Sequence, residues 1–153
     1  MSMIKAQCAC GANQMTFSSA PLARLICHCQ VCQAYTGKAF SDICIFLGQH
    51  LDQQQSSIQA TQFKRYKLPP NINRGLCKYC QQPSIEFGLF KQIVIVSTEN
   101  IQHQEQLPPA AMHIFYHRHV VDVQDHLPKI NGFIYSQMMA SKSVMQGIVK
   151  KFL

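Results

Sequence analysis

Apolar positions along this chain fall in short runs rather than in long helical stripes, which is the pattern of strands. Leu22 to Ile26 is one such run, and Ile43 to Leu47 reads Ile-Cys-Ile-Phe-Leu without interruption. Gln62 to Tyr66 alternates loosely, and Pro69-Pro70-Asn71 then breaks the chain. Ile85 to Phe87 and Ile93 to Val96 predict two more strands, with Gly88 near the turn between them. Met112 to Tyr116 is a further apolar stretch, closed after His119 by a polar segment and Pro128. His50 to Ala60, rich in glutamine and serine, predicts a surface excursion. Short strands at this spacing predict a mostly β domain.

The period changes near the end. From Ser136 onward Met138, Met145, Ile148, Val149 and Phe152 recur at helical spacing, while Lys142, Gln146 and Lys150 lie mainly elsewhere. An amphipathic C-terminal helix over about 136–152 is predicted, its apolar stripe packing on the sheet or on a second subunit of a homodimer. Gly147 is the residue that opposes helix there.

At 153 residues, one domain is expected, and 47% hydrophobic with 14% charged residues supports a core and argues against disorder. No stretch approaches a transmembrane length, and the first residues carry no signal-peptide pattern. The cytoplasm is the expected compartment, with no membrane partner. The formal charge of +7 is spread over Lys64-Arg65, Lys67, Lys78, Lys91, Lys142 and Lys150-Lys151. Seven metal-bound thiolates and two zinc ions would bring it to about +4. No dense basic patch with interleaved aromatics occurs, so nucleic acid is not the expected partner. Mild positive charge suits a small anionic substrate, or solubility alone.

Cysteine spacing is the strongest chemical signal. Seven of eight cysteines form Cys8-x-Cys10, Cys27-x-Cys29-x-x-Cys32 and Cys77-x-x-Cys80. In a reducing compartment such clusters hold metal more often than they form disulfides, and an all-sulfur set points to zinc. The two outer pairs supply four thiolates, the complement of a closed structural site that would staple the chain's start to its middle. The triplet Cys27, Cys29, Cys32 is one ligand short, and an open position is what a catalytic metal needs. An iron–sulfur cluster is the rival for the triplet, but its fourth ligand would have to be Cys44, which sits in an apolar strand and reads as a buried hydrophobe. His28, between two ligands, is expected to hydrogen-bond beside the ion rather than complete its shell. A redox pair of Cys29 and Cys32 is a further alternative.

Other residues carry less. His113, His117 and His119 read as surface, core-edge or pocket-lining groups before ligands, and Arg118 as a solvated arginine able to meet a carboxylate. Phe40, Phe87 and Phe115 read as core. No glycine-rich phosphate loop, nucleophile elbow or carboxylate pair stands out, so nucleophilic hydrolysis is unsupported.

In order and spacing, Cys8-Ala-Cys10-Gly11, then Cys27-His28-Cys29-Gln30-Val31-Cys32 with Thr36-Gly37, then Leu76-Cys77-Lys78-Tyr79-Cys80 and Leu127-Pro128 resemble the glutathione-dependent formaldehyde-activating (GFA, or CENP-V/GFA) family. The resemblance covers roughly residues 5 to 130. It implies a single zinc-binding domain over 1–153, with a β-tent core of small antiparallel sheets at about 5–130 and the helical extension after it. It implies structural zinc on Cys8, Cys10, Cys77 and Cys80, and catalytic zinc on Cys27, Cys29 and Cys32. The implied activity is that of a carbon–sulfur lyase: a small thiol such as glutathione meets a small aldehyde, formaldehyde in the family, to give S-hydroxymethylglutathione. The chain departs from the family pattern after Cys80, where Gln81-Gln82-Pro83 stand in place of a glycine. The competing reading is a non-enzymatic zinc-stabilised domain that binds protein or nucleic acid. A protein side chain in the triplet's fourth position would favour it.

Overall fold

The computed structural model describes residues 3–66 and 72–153. The predicted break at Pro69-Pro70-Asn71, and Lys67, lie outside the described residues. Strands β1 (Ile4–Gln7) and β2 (Gln14–Phe17) pair antiparallel as a small sheet. Strands β3 (Ala23–Cys27), β4 (Ser41–Leu47), β5 (Thr61–Arg65), β6 (Ile72–Cys77), β7 (Pro83–Gly88), β8 (Ile93–Ser97) and β9 (His113–Ile114) make one larger sheet. Its order is β5-β6-β7-β8-β4-β3-β9. All its pairings are antiparallel except β3 with β9, which is parallel. Two α-helices complete the described chain, the short α1 (Gln30–Thr36) and α2 (Phe133–Phe152). The fold is mostly β, as the periodicity predicts. Strands β1, β2 and β6 and helix α1 are additions that their short, partly polar sequences do not announce.

Each face of the large sheet carries its own core. Cys44 and Phe46 of β4 and Val94 and Val96 of β8 pack with Ile4, Met15 and Phe17 of the small sheet. Phe17 stacks on Phe46 with ring centroids 3.9 Å apart. The alternating residues Ile43, Ile45 and Ile95, with Leu25 of β3, face the other way, toward Ile114, Phe115 and helix α2. Register turns this second face into an ordered row, because directly opposed residues share a side of the sheet. Arg74 pairs with Glu86, Glu86 with Ile95, Ile95 with Ile45, and Ile45 with Ala23. A buried ion pair thus stands at one end of an apolar row. Beside Arg74 the register slips at Gly75, where a Cβ would lie 2.7 Å from the Ile85 carbonyl oxygen and 2.2 Å from Thr61 Cγ2. Glycine permits that close approach, and Tyr35 Oη of α1 donates to the Gly75 carbonyl at 2.6 Å.

Helix α2 begins at Phe133, three residues before the predicted start, and packs through a different stripe. Met138, Met145, Val149 and Phe152 of the predicted stripe are exposed. The packed side is Ser136, Met139, Ala140, Val144 and Gly147. Ser136 is fully buried, and its hydroxyl accepts from the Phe115 amide at 2.8 Å. At Gly147 a Cβ would stand 2.1 Å from the Leu22 carbonyl oxygen, so the helix rests backbone to backbone on the entry to β3. Alanine is the better helix former by about 1 kcal/mol, yet Gly147→Ala is expected to lower stability by about 1–3 kcal/mol, because the opposing atom is backbone and cannot rotate aside. Denaturant unfolding measures this, and a more stable variant would show that the helix does not rest on Leu22. Among the described residues no helix is long and apolar enough to cross a membrane.

Candidate metal centres

The outer cysteine pairs meet at two turns. Cys8 follows β1 in a loop closed by the Gly11 amide donating to the Cys8 carbonyl at 2.9 Å, with Gly11 in the left-handed region at φ 80°. Cys77 ends β6 and opens a turn in which the Gln81 amide donates to the Cys77 carbonyl at 3.0 Å. Gln81 itself has φ 59°, the conformation that glycine adopts without steric cost and that other residues adopt with strain. The sequence resemblance implies glycine at this position.

The four sulfurs of Cys8, Cys10, Cys77 and Cys80 all lie within 4.8 Å of one another. Cys8 Sγ is 3.8 Å from Cys10 Sγ, which is 3.6 Å from Cys77 Sγ. Sulfurs at ~2.3 Å around a tetrahedral zinc are ~3.8 Å apart, so the donor set and its spacing fit the ion. Donors already point at the sulfurs. The Asn13 amide reaches Cys8 Sγ at 3.3 Å, and the Tyr79 amide reaches Cys77 Sγ at 3.4 Å. Burial would raise the Cys8 thiol, but hydrogen bonds from the Asn13 backbone, Cys77 and Cys10 outweigh it and bring it down to about 7.

The triplet forms where β3 hands over to α1. Cys27 is the last residue of β3, Cys29 is the N-cap of α1, and Cys32 sits in its first turn, with the Cys32 amide donating to Cys29 Sγ at 3.3 Å. The three sulfurs lie within 4.8 Å of one another, and no histidine or carboxylate among the described residues joins that set. Cys27 and Cys32 are buried, while Cys29 is partly exposed. Hydrogen bonds from Cys27 and then Cys32 pull the Cys29 thiol down to about 3, and the same contacts push Cys27 and Cys32 up. Those contacts favour the charged form at Cys29, the accessible sulfur, over Cys27 and Cys32. Cys44 stands apart, on the opposite face of β4, with its sulfur 3.4 Å from Thr98 Oγ1. It is a buried hydrophobe and supplies no fourth sulfur.

His28 is fully buried and its ring belongs to a different network. His28 Nε2 lies 2.8 Å from His113 Nδ1, and His113 Nε2 lies 2.8 Å from Asp125 Oδ2. Asp125 also meets Lys129 Nζ at 2.7 Å. Lys129 first, and His113 next, hold the Asp125 carboxyl well below the usual range. A His113 ring that donates Nε2–H to an ionised Asp125 and carries no second proton accepts at Nδ1 from His28 Nε2–H. Burial, helped by His113, lowers His28 to about 4. The neutral ring braces the loop between two sulfurs, as does Gln33, whose amide donates to the carbonyls of His28 at 2.8 Å and Arg118 at 3.0 Å.

The triplet opens into a cavity of about 430 Å³. Arg74 and Glu86 line it, as do Phe115 and, from α2, Phe133 and Ala140. His117 and Arg118 also line it and are exposed, so they sit at its mouth. His119 stacks on Tyr116 outside it. Arg74 Nε is 3.0 Å from Glu86 Oε1 but off the line a hydrogen bond needs, and it makes no other. Burial raises the Glu86 carboxyl to about 7 against the pull of Arg74, and the positive field of Arg74 favours the charged form of Cys29. Arg74, Glu86 and Asp125 carry no local sequence signal, since each gains its role from a partner brought by register or by a distant loop.

A family model described as glutathione-dependent formaldehyde-activating enzyme matches residues 3–118. No curated protein matches the chain. Among solved structures, a Rhodobacter sphaeroides protein determined by structural genomics aligns with a TM-score of 0.51 at 13% identity, over 65% of this chain and 88% of that one. That likeness concerns the fold alone.

Proposed function

The chain belongs to the glutathione-dependent formaldehyde-activating enzyme family, and from that premise we propose that it is a zinc-dependent enzyme of the carbon–sulfur lyase type. Its reaction joins a small thiol such as glutathione to an aldehyde and reverses that joining. Residues 1–153 act as one unit, in a reducing compartment such as the cytoplasm that keeps seven thiols available. Cys8, Cys10, Cys77 and Cys80 hold the structural ion, and Cys27, Cys29 and Cys32 hold the catalytic one. When bound there, zinc supplies Lewis acidity and keeps a thiol ionised at neutral pH.

The observation that carries this reading is a set of three convergent sulfurs, with no fourth protein donor among the described residues, lining a cavity. The chain's own residues supply the rest. The neutral His28, held through His113 to Asp125, fixes the loop that aims Cys27 and Cys29. Arg74 presents positive charge to the sulfurs from the cavity wall. Exposed Arg118 and His117 at the mouth are placed to receive a carboxylate of the thiol.

Zinc content of anaerobically purified protein, wild type against Cys29→Ser, tests the proposal. The wild type is expected to hold about two equivalents and the variant about one, with folding retained. Formation of the glutathione–formaldehyde adduct, followed by exchange NMR, is expected to fall by about 100-fold or more in the variant. A wild type with about one equivalent, unaffected by Cys29→Ser, would overturn the proposal.

A further inference from the structure

The cavity is built for a larger and less polar molecule than formaldehyde. Its volume of about 430 Å³ falls in the range, about 300–1,000 Å³, of sites that enclose small organic ligands. A one-carbon aldehyde would fill only a corner beside the sulfurs. The remaining wall is mostly hydrocarbon, with Leu25, Ile43, Ile45 and Ile95 from the sheet and Phe115 and Phe133 from the opposite side. Leu25 is fully buried, and Ile43, Ile45 and Ile95 nearly so. The deep cation, Arg74, already faces Glu86. A tripeptide thiol with two carboxylates and an ammonium group finds its complement at the exposed mouth, not in this interior.

Position in the chain supports the same conclusion. Phe133, Gln137 and Ala140 of α2 close the cavity, and all three lie beyond residues 3–118, the span of the family match. The family match does not extend to this wall. Its geometry is held by the close seating of Gly147 on Leu22 and by the Ser136 hydroxyl at the Phe115 amide.

We propose that the α2-roofed cavity beside Cys27, Cys29 and Cys32 binds the hydrocarbon body of an apolar aldehyde, aliphatic of about six carbons or aromatic. For the reaction, this rests on the thiol–aldehyde reading above; the binding of an apolar ligand does not. The thiol sulfur's electron pair forms the new bond to the carbonyl carbon. The carbonyl π pair moves to oxygen, which takes up the proton that the thiol gave up. The product is a thiohemiacetal, and no oxidant or further reactant enters. The apolar row Ile95–Ile45 holds the chain, so the carbonyl end is the part left facing the sulfurs.

Two measurements on the full-length, zinc-loaded protein test this. In the first, isoleucine methyl NMR follows a titration with hexan-1-ol, an unreactive analogue of hexanal, against methanol. Hexan-1-ol is expected to shift the methyls of Ile43, Ile45 and Ile95 saturably, and methanol is not. In the second, thiohemiacetal exchange with glutathione is compared for hexanal and formaldehyde, each corrected for its uncatalysed rate. Hexanal is expected to be preferred by about tenfold or more in kcat/KM, the range a few well-held methylenes provide. Ala140→Phe, which fills the cavity from the helix side, is expected to reduce that preference by about tenfold. Phe133→Ala, which shortens a cavity-lining ring that packs against Phe115, is expected to move the preference toward longer chains. Isoleucine methyls that do not respond to hexan-1-ol, or a preference for formaldehyde that neither substitution alters, would overturn the inference. Saturable hexan-1-ol binding with no turnover of any aldehyde would uphold the binding site and overturn the thiol–aldehyde reading instead.

Discussion

Cys77→Ser is expected to remove about one equivalent of zinc and to cost the protein most of its folding stability. Cys77 is almost fully buried at the end of β6, and its sulfur is 3.6 Å from Cys10 Sγ across 67 residues of chain. Backbone hydrogen bonds hold the small sheet to loops, as between Gln14 and Ser57 and from the Asp52 amide to the Thr16 carbonyl, and Ile4, Met15 and Phe17 pack on the large sheet, but a shared ion would tie the end of β1 directly to the end of β6. A structural zinc in an isolated zinc-binding peptide contributes about 10–16 kcal/mol of binding free energy at neutral pH, comparable to the whole stability of a typical domain, about 5–15 kcal/mol. Thermal unfolding and zinc content on the same sample measure the effect. Cys77→His, which keeps a metal-ligating side chain, is expected to recover part of both losses. Cys44→Ser changes a cysteine that faces the Phe17 core and is expected to leave the zinc content at about two equivalents. A Cys77→Ser protein that retained both zinc equivalents and its melting temperature would show that the outer pairs do not share an ion.

Both cysteine clusters that could hold a metal are legible in the sequence because their members are local: two knuckles and a triplet, each within six residues. Strands β4 and β8 were legible for a related reason, since each is an apolar run buried on both faces. Strand β6 was not. Its segment Ile72-Asn-Arg-Gly-Leu-Cys77 reads as polar, yet Arg74 is buried, because its partner Glu86 stands opposite it on β7. A cross-strand ion pair becomes visible only once the register is known. The C-terminal helix shows a subtler limit. Apolar residues lie on both of its sides, so the period predicts a helix without saying which side packs. The small residues decide it: Ser136 and Gly147 mark the side where another backbone comes close, while the larger Met138 and Met145 face outward. The methionines mark the outward stripe, so the period points away from the side of the helix that roofs the cavity.

Arg74→Leu is expected to destabilise the protein by about 3–5 kcal/mol at pH 9, the usual cost of leaving one member of a buried ion pair alone. Arg74 and Glu86 are both more than nine-tenths buried, 3.0 Å apart, and share their cavity with the three triplet sulfurs. An unpaired Glu86 carboxylate would face low dielectric and negative sulfur together. The pH dependence separates this account from a simple packing defect. Burial has already raised the Glu86 carboxyl from 4.5 to about 7 with Arg74 present, and Arg74 is the group that lowers it. In the variant it rises further. Below about 7 the folded forms of both proteins hold the proton, so the carboxyl contributes nothing to their difference. As pH rises beyond that, wild-type Glu86 ionises beside its arginine, while the variant's folded state keeps a proton that its unfolded state has released. Its stability therefore falls relative to wild type by about 1.4 kcal/mol per pH unit until the variant's carboxyl also ionises. Adding Glu86→Leu to Arg74→Leu is expected to restore most of the stability and to flatten the profile, since a matched apolar pair carries no charge to desolvate. Denaturant unfolding of the three proteins between pH 6 and 9 measures all of this. A gap between Arg74→Leu and wild type that stays constant across that range would mean that Glu86 is not the buried, arginine-dependent acid that closes the polar end of the cavity.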